Sequence, residues 1–179
     1  MIVIALMDRV EVPTPVLYLD IDGTVRQGKD DELGKFVNSP EDVHVFPEAI
    51  ELMRRWKEGG GRIIGITNQG GVALGIISMA DVAANLQETH NQAEQMFDRI
   101  MICPHHPDAA DPNMARCWCR KPGTGLVVEA ALWMSPRYDE IYPPYMSLFV
   151  GDREEDRLCA ERASIDFTWA KDWRAGAHS

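Results

Sequence analysis

Val16-Leu17-Tyr18-Leu19-Asp20-Ile21-Asp22-Gly23-Thr24 is a four-residue apolar run that ends abruptly in two carboxylates and a glycine. An apolar residue at every position, rather than at every second one, reads as a strand covered on both faces. Extended residues two apart project to the same side, so Asp20 and Asp22 can face one ligand while Ile21 faces away. Gly23 permits the sharp exit that frees the carboxylates from the ladder. Two close carboxylates resist being ionised together, so a cation would bind one while the other holds a proton near neutral pH. That division suits a nucleophile paired with a general acid.

Outward from this stretch, strand-like and helix-like patterns alternate. Apolar runs recur at 62–67 and at 146–150, the latter running into Gly151-Asp152. Between them, Pro47 opens a helical pattern in Ile50, Met53 and Trp56 that Gly59, Gly60 and Gly61 stop. Residues 78–81 read S-x-x-D, a weaker capping box that opens a helix running toward Arg99. Further helices are expected over 123–133 and 153–163. Such alternation implies an α/β fold, a Rossmann-like parallel sheet with helices on both faces, and a ligand site beyond the carboxyl ends of the strands. The 179 residues suit one domain at the usual ~150 residues each. We assign 16–179 to that domain and 1–15 to an N-terminal arm or edge strand. Stretches 23–46 and 103–122 fit neither pattern, and long irregular segments in a compact domain are usually functional.

Composition excludes several classes. With 18 basic against 28 acidic residues the net charge is −10, and the cations are scattered, which disfavours nucleic acid and anionic membrane as partners. The longest apolar run, 1–7, is far short of the ~20 residues of a membrane span. It also lacks the basic start and cleavage site of a signal peptide, so a cytoplasmic location is expected. Four cysteines are too few for a disulfide scaffold, yet three crowd into 103–119.

Three more motifs stand at element boundaries. Thr67-Asn68-Gln69 closes the second strand, where a hydroxyl and backbone N–H groups can cradle an anion. Arg120-Lys121-Pro122 puts two cations just before a helix N-terminus, itself favourable to phosphate. Gly151-Asp152-Arg153-Glu154-Glu155-Asp156 puts acids after a third strand, suited to a hard cation. Each alone has an ordinary structural explanation; four in this order are hard to obtain by accident.

Together they resemble the haloacid dehalogenase superfamily of phosphotransferases, over about 16–170. The resemblance implies that Asp20 is the nucleophile and forms an aspartyl-phosphate. It implies that Asp22 protonates the leaving oxygen and then activates water. Thr67 and Lys121 would hold the phosphoryl group, with Asn68 and Arg120 beside them on the substrate. Asp20, the backbone carbonyl of Asp22, and Asp152 would bind Mg²⁺. Asp156 would either ligate that metal or orient Lys121 or a bound water. The physical demand is plain: a carboxylate attacking a dianionic phosphate needs opposing positive charge.

Cys103-Pro104-His105 and Cys117-Trp118-Cys119 form C-x-H-x11-C-x-C. Three thiolates and one imidazole satisfy tetrahedral Zn²⁺, and with all four positions filled by protein the ion would be structural. His106 is an alternative to His105. Cys159, alone in a helical pattern, reads as core. The pattern C-P-H-H…C-x-C-R-K-P resembles the heptose bisphosphate and histidinol phosphatases, which lack a large cap domain; residues 70–78 are likewise too few to hold one. Zinc there would fix Arg120 and Lys121 before substrate arrives. Ile21 and Leu74 stand where heptose bisphosphate phosphatases usually carry Arg. The stretches 34–37, 40–42 and 46–48 resemble instead the 3′-phosphatase domain of polynucleotide kinase-phosphatases. The expected activity is a Mg²⁺-dependent phosphomonoesterase acting on a small phosphorylated metabolite of the sugar phosphate or histidinol phosphate type. The alternatives are a polynucleotide 3′-phosphatase and a zinc-stabilised binding protein without turnover. The oligomeric state is left open.

Overall fold

All four residues of Val16–Leu19 are buried, because this strand lies at the centre of the sheet. The computed structural model describes residues 12–29, 37–138 and 140–176. In chain order its strands are β1 (Val12–Pro13), β2 (Val16–Leu19), β3 (Arg26–Gly28), β4 (Val43–Val45), β5 (Arg62–Asn68), β6 (Arg99–Cys103), β7 (Glu140–Ile141), β8 (Leu148–Gly151) and β9 (Asp166–Trp169). The helices are α1 (Pro47–Glu58), α2 (Met79–Gln92), α3 (Pro112–Ala115), α4 (Gly125–Tyr138), α5 (Glu154–Arg162) and α6 (Ala170–Arg174). The main sheet is parallel throughout, in the order β6-β5-β2-β8-β9.

Side chains alternate across this sheet and build two cores. Leu17, Leu19 and Ile63 pack with Met53 of α1, Val82 and Leu86 of α2, and Trp173 of α6. Val16, Tyr18, Ile64, Ile66 and Phe149 pack on the other side with Leu126, Ala130 and Met134 of α4 and Cys159 of α5. Period-two alternation with both faces covered is why these strands read as unbroken apolar runs.

Several boundaries differ from those expected. The Ser78–Asp81 capping box is present, with Ser78 Oγ accepting from Asp81 N at 3.1 Å. The helix it opens ends at Gln92 rather than near Arg99. Glu94 and Gln95 take left-handed backbone angles and turn the chain back. Arg99–Cys103 is then a strand, held at its start by the Asp98 carboxylate, which accepts from Ile63 N at 2.8 Å and Lys57 Nζ at 2.7 Å. The third strand starts at Leu148, because Pro144–Met146 forms a 3-10 turn. The helix expected over 123–133 runs Gly125–Tyr138. Within 23–46, β3 and β4 form an antiparallel pair, Arg26 opposite Val45. The last strand, β9, was not expected; it is an edge strand with only Thr168 fully buried. Of the proposed arm, Val12–Pro13 pairs in parallel with Glu140–Ile141, and 1–11 lie outside the described residues.

Candidate active site

The carboxyl ends of β2, β5 and β8 converge, and each carries one of the sequence motifs. Asp20 leaves β2 with its N–H still bonded to Val150 O at 2.9 Å, so the nucleophile candidate starts from the rigid centre of the sheet. Thr67 and Asn68 finish β5, and Asp152 follows β8. Gly23 has φ +92, and a Cβ there would lie 2.4 Å from an Asp152 oxygen. The glycine thus serves both the turn and the approach of two strand ends. At Gly151 a Cβ would lie 2.3 Å from Asp156 Cβ.

Lys121 reaches into this group from the loop before α4 and is buried. Its ammonium contacts Asp20 Oδ1 at 2.5 Å, Asp156 Oδ1 at 2.7 Å and the Ile66 carbonyl at 2.9 Å. Burial opposes its charge, but Asp20 and Asp156 outweigh that and hold its pKa above the ordinary lysine value. Asp156 is fixed in turn: its Oδ2 accepts from Arg153 N at 3.0 Å, closing the first turn of α5. Of the two roles open to Asp156, orienting Lys121 is a contact made here. Burial pushes the Asp20 carboxyl up to about 7, with Lys121 pulling it down and Asp156 and Asp22 adding to the rise. Burial likewise raises Asp152, against Arg153.

The Oδ2 of Asp20 is buried with no hydrogen-bond partner, and oxygens of Asp20, Asp152 and Asp156 lie within 4.8 Å of one another. An orphaned buried carboxylate oxygen in such a cluster fits a hard divalent cation. Asp22 does not join this cluster with its side chain. Its Oδ1 accepts from Arg26 Nε at 2.8 Å and its Oδ2 from Gln69 Nε2 at 2.7 Å. The two carboxylates are thus separately partnered, yet both line one cavity. Gln69 Nε2 also donates to Thr67 Oγ1 at 2.8 Å. Asn68 clamps the Lys121 backbone from both sides, accepting from its N–H at 3.0 Å and donating to its carbonyl at 3.2 Å.

Cys103, His105, Cys117 and Cys119 come together, their ligand atoms within 4.8 Å of one another. Sulfur separations of 3.7 and 3.2 Å, and sulfur–Nδ1 separations of 3.5 and 3.3 Å, involve Cys103, Cys117, Cys119 and His105. Tetrahedral zinc has edges of roughly 3.5–3.8 Å; two of these separations lie in that range and the two made by Cys119 are a few tenths of an ångström shorter, so small shifts would seat the ion. His105 Nδ1 faces the sulfurs, whereas His106 lines the cavity at Asp20 and Asp22, its Nδ1 accepting from Asp108 N at 3.2 Å. The thiol loop meets the cavity through Arg120, whose Nη1 donates to the His105 carbonyl at 2.9 Å.

A cavity of about 340 Å³ opens at Asp20 and Asp22, and its lining includes Arg120, Arg153 and His106 as well as the apolar Leu74, Ile76 and Ile77.

No family model matches the chain. The D-glycero-D-manno-heptose-1,7-bisphosphate 7-phosphatase of Chlorobaculum tepidum is 34% identical over 154 residues, covering 84% of this chain and 75% of that protein. The chain belongs to the haloacid dehalogenase-like phosphatases. A haloacid dehalogenase-like structure from Mesorhizobium loti superposes with TM-score 0.72 at 26% identity, over 88% of this chain and 72% of that one. The D,D-heptose 1,7-bisphosphate phosphatase of B. bronchiseptica, solved with magnesium and phosphate, gives TM-score 0.65 at 29% identity, over 86% and 78%. This phosphatase is thus a phosphoric monoester hydrolase.

Three residues of the phosphatase site carried no assigned role in the sequence reading. Gln69 stood inside a motif and was passed over. Arg26 lies in the irregular stretch 23–46, where no pattern marks a buried cation, yet it is 2% exposed. Arg174, from α6, donates to the Gly23 and Thr24 carbonyls at 2.9 and 2.7 Å, and no local pattern announces a contact across 150 residues.

Proposed function

We propose that the enzyme hydrolyses a small sugar phosphate through an aspartyl-phosphate on Asp20, with Mg²⁺ as cofactor and zinc as a structural ion. The observation that carries this reading is the Asp20 pair of oxygens: Oδ1 tied to Lys121, Oδ2 buried and unpartnered. Asp20 and Asp152, with the backbone carbonyl of Asp22, would hold Mg²⁺, which supplies charge neutralisation for the phosphate and the attacking carboxylate. Asp20 attacks phosphorus in line, and the bond to the leaving oxygen breaks as Asp22 delivers its proton there. Asp22 then takes a proton from water, which attacks the same phosphorus; the Asp20–phosphorus bond breaks and inorganic phosphate leaves. Thr67, Asn68, Arg120 and Lys121 position the phosphoryl group and balance its charge. Lys121 is held by Asp20 and Asp156 before substrate arrives, so little reorganisation is required.

Cys103, His105, Cys117 and Cys119 would hold the zinc, which supplies only cross-linking, since no ligand position is left open. The sugar phosphate assignment draws on the relatives named above and on a cavity lined by both cationic and apolar residues, suited to a phosphate and a small polyol. Polynucleotide 3′-phosphate is the second reading, carried by the resemblance around 34–48. The test is turnover of para-nitrophenyl phosphate with and without Mg²⁺, then kcat/KM over a panel of sugar phosphates, histidinol phosphate and a 3′-phosphorylated oligonucleotide. A sugar phosphate should lead, with activity lost on chelation. No turnover of any ester would overturn the reading.

A further inference from the structure

Arg26 is among the largest fully buried side chains of the protein. A guanidinium is always charged, so burying it demands partners at its N–H groups. Nε donates to Asp22 Oδ1 at 2.8 Å, while Nη1 donates to the Asn85 carbonyl at 3.0 Å and to Thr89 Oγ1 at 2.7 Å. Asn85 and Thr89 are themselves buried, on the inner face of α2. Thr89 Oγ1 donates back to the same Asn85 carbonyl at 2.8 Å, and Asn85 Nδ2 donates to the Val37 carbonyl at 3.1 Å. Polar groups spaced four apart in the apolar face of a helix are costly without a purpose. Here they form a socket for one guanidinium, whose Nε meets Asp22. Among the described residues, Asp22 is the one carboxylate paired with Arg26.

We infer that Arg26 is a positioning residue for catalysis: anchored in α2 by Asn85 and Thr89, it locks Oδ1 of Asp22 and leaves Oδ2 as the oxygen that exchanges protons with substrate and water. The inference rests on Asp22 being the acid and base of the proposed function. The asymmetry of the two carboxylate oxygens supports it. Oδ1 is held by a side chain anchored to two buried partners on α2, which cannot move without emptying the socket. Oδ2 is held by Gln69, which is only partly buried and has Thr67 Oγ1 as a second acceptor. When a leaving oxygen arrives, the amide can release Oδ2 while the guanidinium keeps the carboxylate aimed. A lysine carries the same charge but lacks the planar fork that spans Asp22 and α2 together.

A positioned acid matters most where the leaving group is poor. The experiment measures kcat/KM, which reports the step that expels the leaving group, on para-nitrophenyl phosphate and on phenyl phosphate. Wild type, Arg26→Lys, Thr89→Val and Asp22→Asn are compared, with circular dichroism and melting to check folding. Arg26→Lys should lose about tenfold more on phenyl phosphate than on the nitrophenyl ester, with KM little changed, and Thr89→Val about threefold more. Equal losses on both esters in folded Arg26→Lys would overturn the inference. If Arg26→Lys does not fold, Thr89→Val decides: a leaving-group-dependent loss supports the lock, and a parallel or absent loss overturns it. Asp22→Asn separates the two levels. A steep leaving-group dependence there with none in the Arg26 and Thr89 variants leaves Asp22 as acid and removes the lock. No dependence in Asp22→Asn overturns the acid assignment, and the lock with it.

Discussion

Lys121 and Asp20 make one contact, yet their substitutions should fail in opposite ways. Lys121→Met leaves the buried Asp20 and Asp156 carboxylates without their cation. Removing one partner of a buried charge set costs about 3–5 kcal/mol, so a clear fall in Tm should accompany the loss of turnover. Asp20→Asn keeps the shape and leaves Lys121 paired with Asp156. It should fold, melt near the parent temperature, and lose at least ~10³-fold in turnover of para-nitrophenyl phosphate, as removal of a nucleophile does elsewhere. A tenth of the parent activity in Asp20→Asn would sink the covalent route. Gly151→Ala is the smallest informative change. Its new methyl would overlap Asp156, so it should weaken the hold on Lys121 and reduce turnover, with overpacking of about 1–3 kcal/mol in stability. Thermal denaturation beside an activity assay reads all three.

Among the elements, the loop from Cys103 to Lys121 carries the sharpest expectation. Purified enzyme should hold about one zinc per chain by elemental analysis, as four converging ligand atoms imply. Cys117→Ser should lower both metal content and Tm, and should reduce activity too, because Arg120 is bonded to the His105 carbonyl and Lys121 follows directly. A metal-free variant with parent melting and parent activity would remove the ion from the account. The convergence of this loop was legible because its residues are adjacent: side chains two apart on extended chain project to one side. The strands β2 and β5 were legible for a similar reason, since double burial leaves an unbroken apolar run. The edge strand β9 was not, because an edge needs few apolar residues and Asp166–Trp169 has a single buried position. The end of α2 was missed because left-handed Glu94 and Gln95 have no glycine to mark the turn. Arg26 was missed as a buried residue because its socket lies some sixty positions away on α2.

At the scale of the whole molecule, charge and topology each have a consequence. A net charge of −10, and a cavity whose three arginines and one lysine share its lining with Asp20, Asp22, Glu155 and Asp156, offer little to a polyanion. Each phosphate contact to a single strand contributes a slope of about −0.7 in log affinity against log salt. A shallow slope, near that of one contact, is expected for a 3′-phosphorylated oligonucleotide, with kcat/KM below that for a sugar phosphate. A steep slope with a preference for the oligonucleotide would reverse the substrate assignment and leave the catalytic residues unchanged. The sheet order β6-β5-β2-β8-β9 also bears on when activity begins. The central strand β2 runs into Asp20, but its neighbour β8 and the residues that follow, Asp152 and Asp156, are translated more than a hundred residues later. A chain emerging from the ribosome therefore carries Asp20 on an open sheet edge until β8 docks beside it. Phosphatase activity should switch on late and all at once during synthesis, and nascent chains stalled before β8 should be inert and exposed to mispairing along that edge.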